Sequence, residues 1–200
     1  MRRPVSRAAG RAVAAVAVAA LTGCQLGERP VLAPAPQPTG DAAADAVLLR
    51  FDGATSEAFT ADYVITTPLG ATAEARVDQA GRSRRTVDIG AVHYVVDGPT
   101  SQTCTPTPDD CRVGLDSQPL SDLAVTPDFY ALSPAARLRR DVAVRVGPTE
   151  ASTETIAGQP ATCVLIPVSA TTARYCALDA GPLASLRTTD VTIELTAYSP

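Results

Sequence analysis

The sequence predicts an α+β domain in which helices cover one face of an antiparallel β-sheet. The early and late parts of the chain alternate apolar and polar residues, as half-buried strands do. A stretch in the middle spaces its apolar residues at helical intervals. Gly and Pro separate these segments, and 200 residues correspond to one domain with a short extension. Runs of strands on either side of a helical stretch are typical of an α+β layer fold.

The first 23 residues have the form of a signal peptide. Arg2 to Arg11 form a basic start, followed by an apolar stretch that is too short for a permanent membrane span. The next residues, Leu21-Thr22-Gly23-Cys24, resemble the bacterial lipobox. This resemblance implies cleavage before Cys24 and attachment of acyl chains, such as palmitate, to the new N-terminus. We therefore expect a lipid anchor on the extracytoplasmic face of the cell membrane; the alternative is an ordinary secretory signal with a chance Cys.

Residues 24–41 are interpreted as the lipidated Cys and a tether, and residues 42–200 as the folded domain. Four prolines stand among Ala, Gly and Thr in this segment, which is typical of an extended spacer. At about 3.1 Å per residue, such a tether holds a domain up to roughly 50 Å from the membrane surface.

A short helix is predicted at residues 42–51, with Asp41 as its N-cap. Its apolar residues Val47, Leu48 and Phe51 lie on one side. Strands are predicted on both sides of the middle of the chain, at residues 59–69, 73–78, 82–89, 92–96, 153–157, 161–168, 173–178 and 190–197.

The middle of the chain is predicted to be helical from Thr126 to Val146, with Pro134 as an interruption or a kink. Four apolar residues occupy one broad side of this region. They are Phe129, Leu132, Leu138 and Val142.

Four cysteines remain after Cys24, and an exported chain folds in an oxidising compartment, so two disulfides are expected. Cys104 and Cys111 bracket a short loop. Cys163 and Cys176 lie symmetrically about a turn, as directly opposed residues of a β-hairpin do. Zinc binding is the competing interpretation, but neither pair has the short spacing of a zinc site.

The order of these segments resembles that of the LolA-like lipoprotein carriers, including the LppX and LprG type of envelope lipoprotein. The resemblance rests on the lipobox, the strand of residues 59–69, the stretch Arg84-Arg85-Thr86-Val87-Asp88-Ile89-Gly90 with Tyr94 after it, and Ile156-Ala157-Gly158-Gln159 leading to the second cysteine pair. It implies a curved β half-barrel whose concave face, covered by helices, holds acyl chains of a lipid or lipoprotein.

With no Trp and only 4% aromatic residues, a cavity in this protein is expected to be lined mainly by aliphatic side chains. The alternation of the strands and the apolar side of the helix select the candidate ligand contacts. These are Tyr63, Ile65, Val87, Ile89, Val164, Ile166, Val191, Ile193 and Leu195 from the sheet, and Phe129, Leu132 and Leu138 from the covering helix. The alternative is that these side chains form an ordinary packed core.

Several functional classes find no support in the sequence. After the first 23 residues the chain has 13 Arg against 21 acidic residues, which disfavours nucleic acid as a partner. Motifs of hydrolases, phosphate loops, dinucleotide-binding folds and zinc proteases are absent. His93, the single imidazole, is expected on the solvent face of its strand. Asp109 and Asp110 are interpreted as turn residues, and no metal or other cofactor is expected.

The sequence thus predicts a non-catalytic, membrane-anchored envelope lipoprotein that binds or carries lipid acyl chains in a hydrophobic cavity. The alternative is a tethered protein-interaction or sensor module with a packed, ligand-free core.

Overall fold

The computed structural model describes residues 38–106, 110–169 and 171–200. The predicted signal peptide, the lipidation site at Cys24 and most of the tether lie outside these residues. Two α-helices, one 3₁₀ helix and eleven strands are present in the described part of the chain. In chain order they are α1 (Ala42–Gly53), β1 (Ala58–Thr66), β2 (Thr72–Ala80), β3 (Arg84–Ile89), β4 (Val92–Asp97), β5 (Thr100–Cys104), β6 (Cys111–Val113), the 3₁₀ helix (Gln118–Leu123), α2 (Leu132–Ala143), β7 (Glu150–Ile156), β8 (Gln159–Val168), β9 (Thr171–Leu178), β10 (Leu183–Arg187) and β11 (Thr192–Ser199).

All eleven strands form one antiparallel sheet in the order β6-β5-β4-β3-β2-β1-β11-β10-β9-β8-β7. The first and last strands of the chain, β1 and β11, pair at the centre, and β6 and β7 are the two edges. The sheet does not close, which is consistent with a curved half-barrel. The predicted antiparallel sheet is therefore confirmed.

The alternation in the sequence places the large apolar side chains on one face, called the inner face below. Across the centre of the sheet, Ile65 lies opposite Ile193 and Tyr63 lies opposite Leu195. The row of Tyr63 continues through Ala75 on β2 to Ile89 on β3, and all of these side chains are buried. Since neighbouring residues of a strand point to opposite faces, this register also places the polar residues between them on the outer face.

Helix α1 begins at the predicted N-cap. The carboxylate of Asp41 accepts hydrogen bonds from the backbone N–H groups of Ala43 and Ala44, at 3.2 and 3.1 Å. It also accepts the hydroxyl hydrogen of Thr149, which precedes β7. The helix contacts β7, β8 and β9 through its buried apolar side, so the cap also joins α1 to the edge of the sheet.

Helix α2 is shorter than the sequence predicts, since it begins at Leu132 rather than at Thr126 and ends at Ala143. The residues before it form successive turns, in which the N–H of Phe129 bonds to the carbonyl of Thr126 at 3.0 Å. Pro134 lies in the first turn, where its missing N–H costs no helical hydrogen bond. The proline therefore belongs to the start of the helix, and the predicted kink is wrong.

Three strands were not expected from the sequence. The strand β10 is buried on both faces, so it shows no alternation, while β5 is mostly polar and β6 has only three residues. The predicted strand of residues 59–69 ends at Thr66, and Pro68, Leu69 and Gly70 form the turn that follows.

Both predicted disulfides are present. Cys104 and Cys111 join β5 to β6, and Cys163 and Cys176 join β8 to β9. Each pair is directly opposed in the sheet, with Cα atoms 4.1 and 4.0 Å apart.

Candidate functional site

The interior lies between the inner face of the sheet and the chain segment of residues 114–131, which is called the lid below. The lid contains the 3₁₀ helix and a series of turns, and no α-helix. Its side chains Leu120, Val125 and Phe129 are buried against the sheet. The sequence predicted a regular helix from Thr126 onward, so the turns of residues 126–131 are a correction to that expectation.

Each of the first five strands has a contact with the lid. On β4, the hydroxyl of Tyr94 donates to the carbonyl of Asp116 at 2.9 Å, and on β5 the hydroxyl of Thr103 donates to the carbonyl of Gly114 at 2.8 Å. The remaining three contacts come from side chains of the last residues of the lid. They are Tyr130 to Gln79 on β2 at 2.7 Å, Asp128 to Arg85 on β3 at 2.7 Å, and the ring of Phe129 against that of Tyr63 on β1.

An aromatic cluster occupies the interior beneath the end of the lid. Phe129 meets Tyr63 edge-to-face, with ring centroids 5.1 Å apart. Tyr130 meets Phe59 in the same manner at 6.0 Å, and Tyr198 stacks on Phe59 at 5.8 Å. Five of the eight aromatic residues of the protein therefore lie together. The sequence identified Tyr63 and Phe129, and the alternation of β1 places Phe59 on the same face as Tyr63. Tyr130 and Tyr198 were missed because they come from a turn and from β11.

The hydroxyl of Tyr63 is buried and has no hydrogen-bond partner within the described part of the chain. Burial, the principal cause, together with the neighbouring hydroxyls of Tyr130 and Tyr198, raises its pKa well above the usual value. The phenol therefore stays neutral and can donate a hydrogen bond. Ser185 carries the other unpartnered buried hydroxyl, but it lies opposite Cys176 and Glu194 on the outer face.

Three other buried tyrosines do have hydrogen-bond partners. Burial raises the pKa of Tyr94 to about 12 and also raises that of Tyr130. Burial also raises the pKa of Tyr175, whose hydroxyl bonds to the carboxylate of Asp141 on α2. These phenols are neutral hydrogen-bond donors that fasten the lid or the helix to the sheet.

Eleven of the twelve residues that the sequence proposed as ligand contacts are buried in this interior. Leu132 is the exception, with 56% of its surface exposed at the beginning of α2. The sequence placed it on the apolar side of a helix that starts at Thr126, and the later start turns it toward solvent. Leu132 therefore does not line the interior.

Within the described part of the chain, the buried apolar side chains of the interior form one hydrophobic cluster. A cavity of about 20 Å³ lies between the lid, the start of α2 and the strands β10 and β11. Val191 and Ile193, both proposed contacts, line it together with Phe129. Sites that hold small molecules are typically about 300 to 1,000 Å³, so an acyl chain enters only if the lid moves.

The outer face carries polar groups but no recognisable catalytic set in the described residues. His93 is half exposed, as the sequence predicts, and its imidazole contacts the carboxylate of Asp88. An open groove of about 560 Å³ runs nearby, across β1, β2 and β3, and contains an ion pair between Asp62 and Arg76 at 2.7 Å. In the described residues, no hydroxyl or thiol group that could serve as a nucleophile forms a hydrogen bond with His93.

One cluster has the residue types of a metal site. Glu154, Cys163 and Cys176 place one potential ligand atom each within 4.8 Å of one another. The two sulfurs are bonded to each other, so neither is available as a thiolate ligand. The guanidinium of Arg174 donates to the sulfur of Cys176 and pairs with the carboxylate of Glu154. Arg174 therefore provides the positive charge at this cluster.

Among the described helices, none combines the length and the apolar composition that a membrane crossing requires.

Comparison with solved structures finds proteins of similar architecture. A crystal structure of MucB matches 80% of this chain and 59% of its own, at 14% identity and a TM-score of 0.47. The Pseudomonas aeruginosa MucA/MucB complex matches 78% and 56%, at 13% identity and a TM-score of 0.46. A LolA superfamily protein from Nitrosomonas europaea matches 78% and 91%, at 13% identity and a TM-score of 0.34.

The chain thus spans less than two thirds of the MucB chains that it matches. The LolA superfamily, which the sequence resembles, is represented among these structures. No protein-family model matches the sequence, and a search of curated proteins gives no match.

Proposed function

We propose that this protein is a non-catalytic envelope lipoprotein, anchored to the membrane at Cys24, that binds lipid acyl chains between the concave inner face of its sheet and the lid. The observation that carries the proposal is the unpartnered hydroxyl of Tyr63 in the middle of the apolar interior. The anchor is supported by the lipobox sequence.

An unpaired hydroxyl in an apolar interior is costly. Leaving such a group without a hydrogen bond costs about 1 to 3 kcal/mol, whereas Phe in the same place would avoid this cost. A bound lipid supplies the missing acceptor, since an ester or carboxyl oxygen at the end of an acyl chain accepts the hydrogen of Tyr63. The aromatic rings around the hydroxyl then contact the first methylenes of the chain.

The filled interior corresponds to the ligand-free state in this proposal. The lid is held by side-chain contacts and lacks the repeated backbone hydrogen bonds of an α-helix, so it is the part of the cover that opens at the lowest cost. Each methylene removed from water contributes about 0.8 kcal/mol, and one long acyl chain about 10 kcal/mol. This gain offsets the loss of the lid contacts when the lipid takes their place.

The test combines lipid extraction and ligand titration of the full-length protein. Native mass spectrometry of protein purified from membranes is expected to show a bound lipid beyond the covalent anchor. After lipid removal, a fluorescent fatty acid is titrated against the wild type, Tyr63→Phe and Ser185→Ala. We expect Tyr63→Phe to weaken binding about 5- to 10-fold, the worth of one hydrogen bond, and Ser185→Ala to leave it unchanged.

The second candidate is a tethered interaction or sensor module with a closed core, and the cavity of only about 20 Å³ favours it. It predicts that the wild type carries no lipid and does not bind the fatty acid. That result would overturn the carrier proposal. An equal effect of Tyr63→Phe and Ser185→Ala would show that the orphan hydroxyl is not part of the site.

A further inference from the structure

One end of the sheet, called the tether end below, includes the connections of residues 67–71, 90–91, 144–149 and 188–190. Strand pairing places them together, because Thr66 lies opposite Thr192, which in turn lies opposite Arg187. The end of α2 reaches the same place, where the N–H of Val146 bonds to the carbonyl of Pro167 on β8 at 2.9 Å.

The described chain begins at the tether end. The backbone N–H and the hydroxyl of Thr39 bond to the carboxylate of Asp45, at 2.7 and 2.8 Å. Asp41 in turn accepts the hydroxyl of Thr149. These contacts fix the first described residues against the start of α1 and the start of β7. The thirteen residues between Cys24 and Pro38 therefore join the domain at this end.

The tether end exposes large apolar side chains. Leu69 is 99% exposed, and Val144 and Val146 are 60% and 66% exposed. The turn that carries Leu69 is rigidly closed, since the N–H of Thr67 bonds to the carbonyl of Ala71 and Gly70 adopts a left-handed φ of +86°. Leu69 is therefore held outward at the tip, where no part of the described chain covers it.

The charges of this end suit a lipid surface. Asp190 is paired with Arg137 at 2.6 Å, and Asp41 lies 3.8 Å from Arg145. Arg145 stands between the two exposed valines and Arg140 lies four residues before Val144. Long basic side chains beside apolar ones are typical of surfaces that meet phospholipid headgroups. Exposed charged residues occur at both ends of the sheet, among them Glu150 and Asp190 at the tether end and Arg82 and Asp179 at the opposite end. Charge alone therefore does not distinguish the two ends.

We propose that the tether end docks on the surface of the lipid bilayer, with Leu69, Val144 and Val146 inserted among the headgroups. This inference rests on the lipid anchor of the proposed function. It adds a fixed orientation, in which the opposite end of the sheet points away from the membrane. The net negative charge of the chain makes the apolar tips, rather than overall charge, the source of the contact.

The absence of Trp from the sequence makes a clean test possible, because one introduced Trp is the only indole in the protein. The lipidated full-length variants Leu69→Trp and Ser83→Trp are reconstituted in vesicles of phosphatidylcholine and phosphatidylglycerol whose acyl chains carry bromine. Both positions are exposed turn residues, and they lie beyond opposite ends of β2. Val146→Trp provides a second probe of the tether end.

We expect the emission of Leu69→Trp and Val146→Trp to shift to the blue and to be quenched by the brominated lipid, and that of Ser83→Trp to remain that of an indole in water. Protein that sediments with the vesicles but shows no shift at either tether-end position would overturn the docking inference and leave the anchor intact. Equal quenching at all three positions would also overturn it. Protein that does not sediment with the vesicles would overturn the anchor and the docking together.

Discussion

The two halves of the inner face are covered in different ways. Strands β7 to β9 lie under α1 and α2, which pack against each other and bury continuous apolar sides. Strands β1 to β5 lie under the lid, which is held mainly by side-chain contacts to these strands. Both halves are equally buried, so exposure alone does not distinguish them.

The difference lies in how each cover is held. A helix bonds its own backbone and opens as a unit, whereas a segment of turns opens by losing a few side-chain contacts. The helix-covered half is therefore expected to be the stable part of the domain, and the lid-covered half the part that admits a ligand. The orphan hydroxyl of Tyr63 lies in the second half.

The largest expected effect comes from removing one buried leucine from each cover. Leu138→Ala in α2 is expected to lower the free energy of unfolding by about 4 kcal/mol, because the packed helix cannot collapse into the cavity. Leu120→Ala in the lid is expected to cost about 2 kcal/mol, because turns relax more readily. Urea unfolding followed by circular dichroism measures both, with the exposed Leu49→Ala as the control. Equal losses would contradict the distinction between the halves.

Much of the helix-covered half was predictable from the sequence, because patterns between residues close in the chain determine it. Asp41 and the apolar spacing after it determine α1, and the symmetric Cys163 and Cys176 determine the hairpin of β8 and β9. The lid was not predictable, because its apolar residues have helical spacing while Pro127 and the turns at Asp128 favour another path. Its conformation depends on contacts with five strands that are distant in sequence.

The disulfides allow the same comparison at a smaller scale. Opening Cys163–Cys176 by substitution of both residues with Ala is expected to cost about 3 kcal/mol on the chain-entropy model, and opening Cys104–Cys111 about 2.5 kcal/mol. The first bridge is buried in the helix-covered half, and the second lies at the edge of the lid-covered half. We therefore expect the variant without Cys104–Cys111 to unfold in a single thermal transition, with a melting temperature lower by several degrees.

The measurement is differential scanning calorimetry of both double variants beside the wild type. Peptide mapping without reduction verifies that the untouched bridge remains intact. A larger loss from opening Cys104–Cys111 than from opening Cys163–Cys176 would show that the lid-covered half limits the stability of the whole domain.

Substitution of Ile193 tests how readily the lid opens, because the space around this side chain is nearly full. Ile193 is buried and lines the cavity of about 20 Å³, which is too small for the additional atoms of Phe. Ile193→Phe is expected to cost about 1 to 3 kcal/mol through overpacking and to displace bound lipid. Hydrogen exchange is expected to accelerate in residues 118–131 and to remain unchanged in α1. Faster exchange in α1 alone would contradict an opening of the lid.

The site was only partly predictable for a related reason. Alternation correctly selected the inner-face residues of the sheet, since the period of a strand fixes which side chains share a face. It could not show that the lid packs above them, nor that Tyr130 and Tyr198 join Phe59 and Tyr63. Those contacts depend on the register between strands far apart in sequence, such as β1 and β11, which no local pattern encodes.

The smallest effect concerns Asp41, which supports only the helix-covered half. Partial burial acts to raise its pKa, but hydrogen bonds from Ala44 and Thr149 and the charge of Arg145 outweigh this and leave the pKa below its usual value. Because the folded pKa is lowered, the carboxylate stabilises the protein above the unfolded pKa of about 4, and this contribution is lost as the pH falls through the folded value. Asp41→Ala is expected to cost about 1 kcal/mol at neutral pH and less at lower pH. Urea unfolding at several pH values measures this difference, and Asp41→Asn separates the cap from the charge. A cost that does not decrease in acid would show that the cap acts through its geometry alone. If acidification accelerates hydrogen exchange more in the lid than in α1, Asp41 is coupled to both halves.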